Sequence, residues 1–215
     1  MQINEYLKIR EIGKNLAYKI LNFDKDGKNA MLYAGILLGF WNGKAMVFDK
    51  EEETDVLMDF LIYEKNKYGQ KLIDQFYDSD FELTDLEEEI VEGQVNYHCS
   101  LFEIVKIDKL NSTLILKDLL NKEMADFILM DMGLSQTAKI GLLMYTRLIP
   151  IREMNMTSGV SFGFEPRFKE RILNDISLER LKKRRKPDST ELYIFMHKKS
   201  KLYGIEIDKI ETWQK

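Results

Sequence analysis

The chain has 215 residues, 45% of them hydrophobic and 32% charged, a balance that belongs to globular rather than disordered proteins and leaves room for one large domain or two small ones. Cys99 is the only cysteine, which excludes an intramolecular disulfide and a zinc site built from the cysteines of one chain, and fits a reducing compartment. The formal net charge of −4 hides an asymmetry: residues 1–94 hold 20 acidic and 11 basic side chains, and residues 95–215 hold 16 and 21.

That asymmetry has two readings: complementary fields hold the halves together, or the basic end faces an external anion. With three prolines and no Ser- or Gln-rich tract there is no candidate flexible linker, so the halves are expected to pack directly as one body. The start, Met1-Gln2-Ile3-Asn4-Glu5, lacks the basic segment and apolar run of a signal peptide, and the longest apolar stretch, Ala30 to Trp41, is too short to span a bilayer. A cytoplasmic address without membrane association is expected.

In chain order, Ile9, Ile12, Leu16 and Ile20 recur at helical spacing and predict an amphipathic helix over residues 3–21, ended by Asn22-Phe23-Asp24-Lys25-Asp26-Gly27. Residues 30–41 are apolar nearly all round, which predicts a second helix at the centre of the helical half, with Gly35 and Gly39 placed for close packing. Asp49 and Glu52 suggest a capping box opening a third helix that runs to about Tyr77, burying Val56, Phe60, Tyr63 and Tyr68. Thr84 and Glu87 form another box, opening a short acidic helix to about Gly93.

From Val95 the pattern becomes strand-like. Residues 97–107, 113–119, 124–130 and 142–149 are four candidate strands, and the alternation of Val160, Phe162 and Phe164 marks a fifth. The turns between them are read at Lys109-Leu110-Asn111-Ser112, Asn121-Lys122 and Gly133-Leu134-Ser135, with Met154-Asn155-Met156-Thr157 as a loop able to expose an apolar patch. Five short strands with tight turns favour a curved meander or barrel, because closure removes unpaired edges. Pro166 then suits a helix's first turn, Phe168, Ile172 and Ile176 give that helix its apolar face, and Ser177 is read as restarting it after Asn174-Asp175. Asp188 and Glu191 open a last helix ended by Gly204, with a hairpin turning at Lys199-Ser200 as the alternative.

Ser100-Leu101-Phe102-Glu103, Leu116-Lys117-Asp118-Leu119-Leu120 and Arg147-Leu148-Ile149-Pro150 lie in a stretch that resembles a small β domain of an uncharacterised bacterial family with a helical N-terminal half. Some members carry a cysteine-rich zinc motif that this chain lacks. The resemblance covers residues 100–164, implies a barrel-like fold and carries no activity. The expected class is α+β: a helical bundle over residues 1–94 packed on a small five-stranded antiparallel barrel or rolled sheet over 95–165, with basic C-terminal helices over 166–215.

Neither half carries a recognisable catalytic or cofactor constellation, and no cofactor or metal is expected. Asn22 to Gly27 resembles the front of a calcium loop, but Tyr33 stands where the bidentate glutamate belongs, so a polar turn is the better reading. His98 and Cys99, as strand neighbours, point to opposite faces and cannot share a site. There is no phosphate-loop, dinucleotide or Gly-x-Ser-x-Gly motif. Glu51, Asp55 and Asp59 recur every four residues and, with Asp118 and with Arg147 as an anion holder, define a carboxylate-and-divalent-metal enzyme as the weakest reading. The loudest signal is Arg180 followed by Lys182-Lys183-Arg184-Arg185-Lys186, six basic side chains in seven positions that could contact the phosphates of a nucleic acid, with Arg167, Lys169 and Arg171 nearby, or form a solvated interhelical loop docking on the acidic half. Tyr97, Phe102, Phe127, Tyr145, Phe162 and Phe164 would serve as stacking platforms only if they faced outward, and core placement is expected. The leading expectation is a non-enzymatic interaction or regulatory protein with an unknown protein partner, or a homo-oligomer; the alternative is a nucleic-acid-associated protein.

Overall fold

A computed structural model describes residues 1–205. The chain divides into two compact units, one of Met1–Tyr97 with Ile149–Ile151 and Ser158–Val160, the other of the remaining described residues from His98 onward.

The first unit holds five helices: α1 (Ile3–Phe23), α2 (Gly27–Leu38), α3 (Glu52–Tyr63), α4 (Leu72–Tyr77) and α5 (Asp85–Val95). α1 buries Tyr6, Ile9, Leu16 and Ile20, the expected stripe. The polar turn after it is held by its own acids, Asp24 Oδ1 accepting from the Asp26 N–H at 2.8 Å and Asp26 Oδ1 from Asn29 Nδ2 at 2.5 Å, so these oxygens serve the turn. α2 is not the central helix that its composition suggested. It buries Ala34, Gly35 and Leu38 and leaves Met31, Leu32 and Ile36 exposed. Gly39 ends it in the left-handed region (φ 80°), its N–H reaching back to the Gly35 and Ile36 carbonyls.

The Asp49/Glu52 capping box does not form. Instead the Glu53 carboxylate accepts from the Asp49 N–H at 2.7 Å. Nor does one helix run to Tyr77: α3 stops at Tyr63, and residues 64–71 intervene before α4, with Gly69 at φ 79° and the Asn66 side chain accepting from the Tyr68 and Gln70 N–H groups. That turn leaves Tyr68 exposed, not on the buried face where helical spacing placed it. The Thr84/Glu87 box is present in full. Lys19 pairs with Glu87 across the bundle.

The second unit is built on a sheet of β1 (His98–Asp108), β2 (Thr113–Asp118), β3 (Phe127–Met130), β4 (Leu143–Ile151), β5 (Met154–Phe164) and the short β6 (Gly204–Ile205), in the order β3-β2-β1-β4-β5-β6. A parallel pairing of β3 with β5, at Leu129 and Asn155, closes the first five strands into a mixed barrel, so the purely antiparallel expectation is corrected. The closing segment is Met154–Thr157, read from sequence as a loop; Met156 is buried and Asn155 donates through Nδ2 to the Ile128 carbonyl at 3.0 Å. A register shift between Ile104 and Lys106 bends β1 as closure demands. Phe102, Ile104, Leu114, Leu116, Leu129, Met144 and Leu148 form the apolar core of this unit.

β3 begins at Phe127, later than expected, and Gly133-Leu134-Ser135 lies not in a turn but in α6 (Met132–Thr137), capped by Asp131, which accepts from the Leu134 N–H at 2.8 Å. After a 3₁₀ turn at Pro166–Phe168, α7 (Lys169–Lys183) runs unbroken through Asn174-Asp175, with Ile172 and Ile176 buried. α8 (Ser189–Tyr203) is a helix, opened by the Asp188/Glu191 box and ended at Gly204, which excludes the hairpin alternative.

Gly93 on α5 sits where a Cβ would come within 2.3 Å of the Pro150 carbonyl oxygen, whereas Gly13 on α1 has nothing within 4 Å of that position. We therefore expect Gly93→Ala to lower stability by about 2 kcal/mol through overpacking against backbone. Gly13→Ala should be neutral or raise stability by up to ~1 kcal/mol through helix propensity. Urea denaturation of the two variants beside the parent chain measures both.

Candidate functional site

The barrel is apolar along most of its interior but polar at one end. Strand alternation turns His98 and Ser100 to the same face of β1, and Asp118, the last residue of β2, meets both. His98 Nε2 lies 2.7 Å from Asp118 Oδ2 and the Ser100 hydroxyl donates to Oδ1 at 2.6 Å. The same carboxylate accepts from the backbone N–H groups of Leu120 and Asn121, at 2.8 and 2.9 Å, and from Asn121 Nδ2 at 3.0 Å.

The Asp118 side chain is fully buried, and burial alone would push its carboxyl up. The hydrogen bonds from His98, Asn121, Ser100 and Leu120 outweigh that and hold it well below the usual carboxylate range. An ionised carboxylate only accepts, so Nε2 of His98 carries the shared proton. The imidazole stacks on Phe127, with ring centroids 5.1 Å apart and planes 10° apart. Thr146, the register partner of Ser100 on β4, accepts from the Ser161 hydroxyl of β5 at 2.7 Å, extending the polar layer.

This layer is not wired as a nucleophile relay. In such a relay the histidine lies between the hydroxyl and the carboxylate, whereas here His98 and Ser100 both bond Asp118 directly, on separate oxygens. In the sequence His98 stands beside Cys99 and Asp118 groups only with distant carboxylates, so the trio is not apparent there. Its one local signal was the polar His98-x-Ser100 pair on a single strand face.

Asp118 also fixes the loop that follows it. Residues 119–124 form one wall of a cleft of about 710 Å³, and α7 forms the other through Leu173, Ile176, Ser177 and Arg180. Leu119 and Ile176 are buried in its floor, while Lys122 and Glu123 stand exposed on the loop.

The basic run lies at the far end of α7. Lys182 pairs with Glu179 at 3.0 Å, and Glu191 takes both Lys183 and Arg185, each at 2.7 Å, which draws the Glu191 carboxyl down to about 2. Arg184 and Lys186 are exposed and have no acidic partner among the described residues, and Arg180 turns into the cleft. Of the neighbouring cations, Lys169 pairs with Glu103 at 2.7 Å and Arg171 lies over the Tyr203 ring.

The proposed carboxylate group does not converge. Glu51 and Asp55 are exposed on α3 and its start and Asp59 is buried in α3, while Asp118 belongs to the second unit. Among the described residues no three His, Cys, Asp or Glu side chains gather as a metal site. Arg147 is buried beneath the Tyr193 ring, 5.3 Å from its centroid, and not placed to hold an external anion. Phe102, Tyr145, Phe162 and Phe164 are core residues, so they offer no stacking platform.

Residues 1–210 match a family of unknown function, DUF7986. The chain belongs to that family. No curated protein and no solved structure matches it. The DUF7986 match spans both units, so the helical bundle and the barrel belong to one family-wide unit of sequence. Among the described residues of this DUF7986 chain no helix is long and apolar enough to cross a membrane.

Asp118 is lowered from 3.8, and Glu191 and Glu87 from 4.5 to about 2, so all three stabilise the fold above those unfolded-state values and lose that contribution as pH falls towards their folded ones. We expect the thermal midpoint to drop steeply below about pH 4.5. Asp118→Asn should cost roughly 3 kcal/mol at neutral pH, because it removes a buried charge that five donors share, and should flatten the acid limb. Circular dichroism melts between pH 2 and 7 test both.

Proposed function

We propose that the protein acts by binding rather than by catalysis, as a cytoplasmic interaction or regulatory protein, and that the cleft between residues 119–124 and α7 is its ligand-facing surface. The observation that carries this reading is the saturation of Asp118. Its five donors consume the reactive trio in holding strand ends and a loop, and that loop walls a cleft of about 710 Å³ in the second unit. A protein that depended on His98 and Ser100 for chemistry would gain from leaving one of them on the other's proton rather than on a shared acceptor.

The test is a hydrolase and phosphatase panel with and without divalent metal, run on the parent chain and on His98→Gln. We expect no turnover above background from either. Turnover by the parent that His98→Gln abolishes would overturn the binding reading.

A second reading, association with nucleic acid, is favoured by the exposed Arg184 and Lys186, which keep their charge unpaired among the described residues. Because Glu179 and Glu191 offset two of the three charges of Lys182, Lys183 and Arg185, only about three phosphates would be engaged, giving a slope of log affinity against log salt of roughly −2 to −3. Fluorescence anisotropy with single- and double-stranded oligonucleotides across a salt series measures it. Replacement of Arg184 and Lys186 by alanine should abolish that binding, and absence of binding at low salt rejects the reading.

A further inference from the structure

We propose that the cleft binds a small amphiphile with one oxyanion head, a carboxylate or phosphate on a short apolar body; this rests on the binding reading above. Its volume, about 710 Å³, is that of a small-molecule site. Its floor is apolar, with Leu119 and Ile176 buried and Leu120 and Leu173 half-buried beside them. Two cations border it from opposite walls, Lys122 from the loop and Arg180 from α7.

Arg180 differs from the basic residues that follow it. Lys182, Lys183 and Arg185 are each matched by Glu179 or Glu191, whereas Arg180 makes no ion pair among the described residues. Its Nε is shielded from solvent and lacks an acceptor among them. A guanidinium N–H withdrawn from water without an acceptor is costly, and an oxyanion in the cleft supplies that acceptor in the fork geometry arginine prefers.

Two further donors of the cleft are already engaged within the chain. The Ser177 hydroxyl donates to the Leu173 carbonyl at 2.9 Å, and Asn121 Nδ2 donates to Asp118. Glu123 is the one acid in the lining, so the cleft carries a single net positive charge. That balance suits one anionic head and opposes a polyanion. The loop wall is fixed before any ligand arrives, because Leu120 and Asn121 are hydrogen-bonded to Asp118 and the Met124 N–H to the Asn121 carbonyl at 3.0 Å.

The experiment is calorimetric titration of the full chain with octanoate, octyl phosphate, octanol and inorganic phosphate, with the recovered probe examined for conversion. Octanoate or octyl phosphate should bind at least roughly tenfold more tightly than octanol or phosphate alone. Whichever of the two binds better identifies the head. Arg180→Gln should weaken that binding at least about tenfold with an unchanged melting temperature, and Ser177→Phe, which obstructs the cleft beside Arg180, should abolish it. No binding, binding indifferent to the head, or equal binding by Arg180→Gln would overturn the inference while leaving the binding reading standing. Conversion of octyl phosphate to octanol would overturn that reading instead.

Discussion

A buried carboxylate at the mouth of the barrel is the constraint on which the second unit depends. Removing the Asp118 charge from water carries a penalty of several kcal/mol that only a full set of donors offsets. The donors come from β1, through His98 and Ser100, and from the chain just beyond β2, through Leu120 and Asn121. Register and loop conformation are thereby coupled. A one-residue slip of β1 on β2 would carry His98 and Ser100 to the opposite face and strand the charge, a stronger discrimination than apolar packing alone gives.

The other wall of the cleft is fixed by different means. α7 is tied to β1 near its start by Lys169 and Glu103, and to α8 by Asp175 and Lys199 at 2.5 Å. Its end is set by Arg184 in the left-handed region (φ 53°). Glu191 then caps α8 while pairing with Lys183 and Arg185, so one carboxylate both starts a helix and offsets part of the charge of the basic turn. A run that reads in isolation as a nucleic-acid patch is therefore largely a helix-to-helix connection, with Arg180 turned away from it.

What was legible in the sequence was local. The Thr84/Glu87 and Asp188/Glu191 boxes formed because their donors and acceptors lie within four residues, and the α1 and α7 stripes needed only helical periodicity. Strand alternation likewise placed the barrel. The failures share a cause in contacts that composition does not encode. The break after Tyr63 depends on Gly69 adopting a positive φ, and the exposure of α2 depends on which neighbours cover it. The parallel closure at Leu129 and Asn155 joins segments that a meander keeps apart. Asp118 could be quoted as part of a resemblance, yet its role rests on partners 18 and 20 residues away.

The distribution of satisfied and unsatisfied charge gives the cleft its meaning. Lys169, Lys182, Lys183 and Arg185 on this unit are paired with Glu103, Glu179 and Glu191, and surface pairs of that kind contribute little to stability. Their effect is to reduce competing attraction along α7 and the turn after it. Beside those pairs, Lys122 and Arg180 border an apolar floor from opposite walls that no ligand is needed to hold in place. Ordering costs are met during folding, by Asp118 on one side and the α7 anchors on the other. A cleft prepared in this way turns even a modest set of contacts into selectivity, because only an occupant with both an anionic head and an apolar body uses the floor and the guanidinium together.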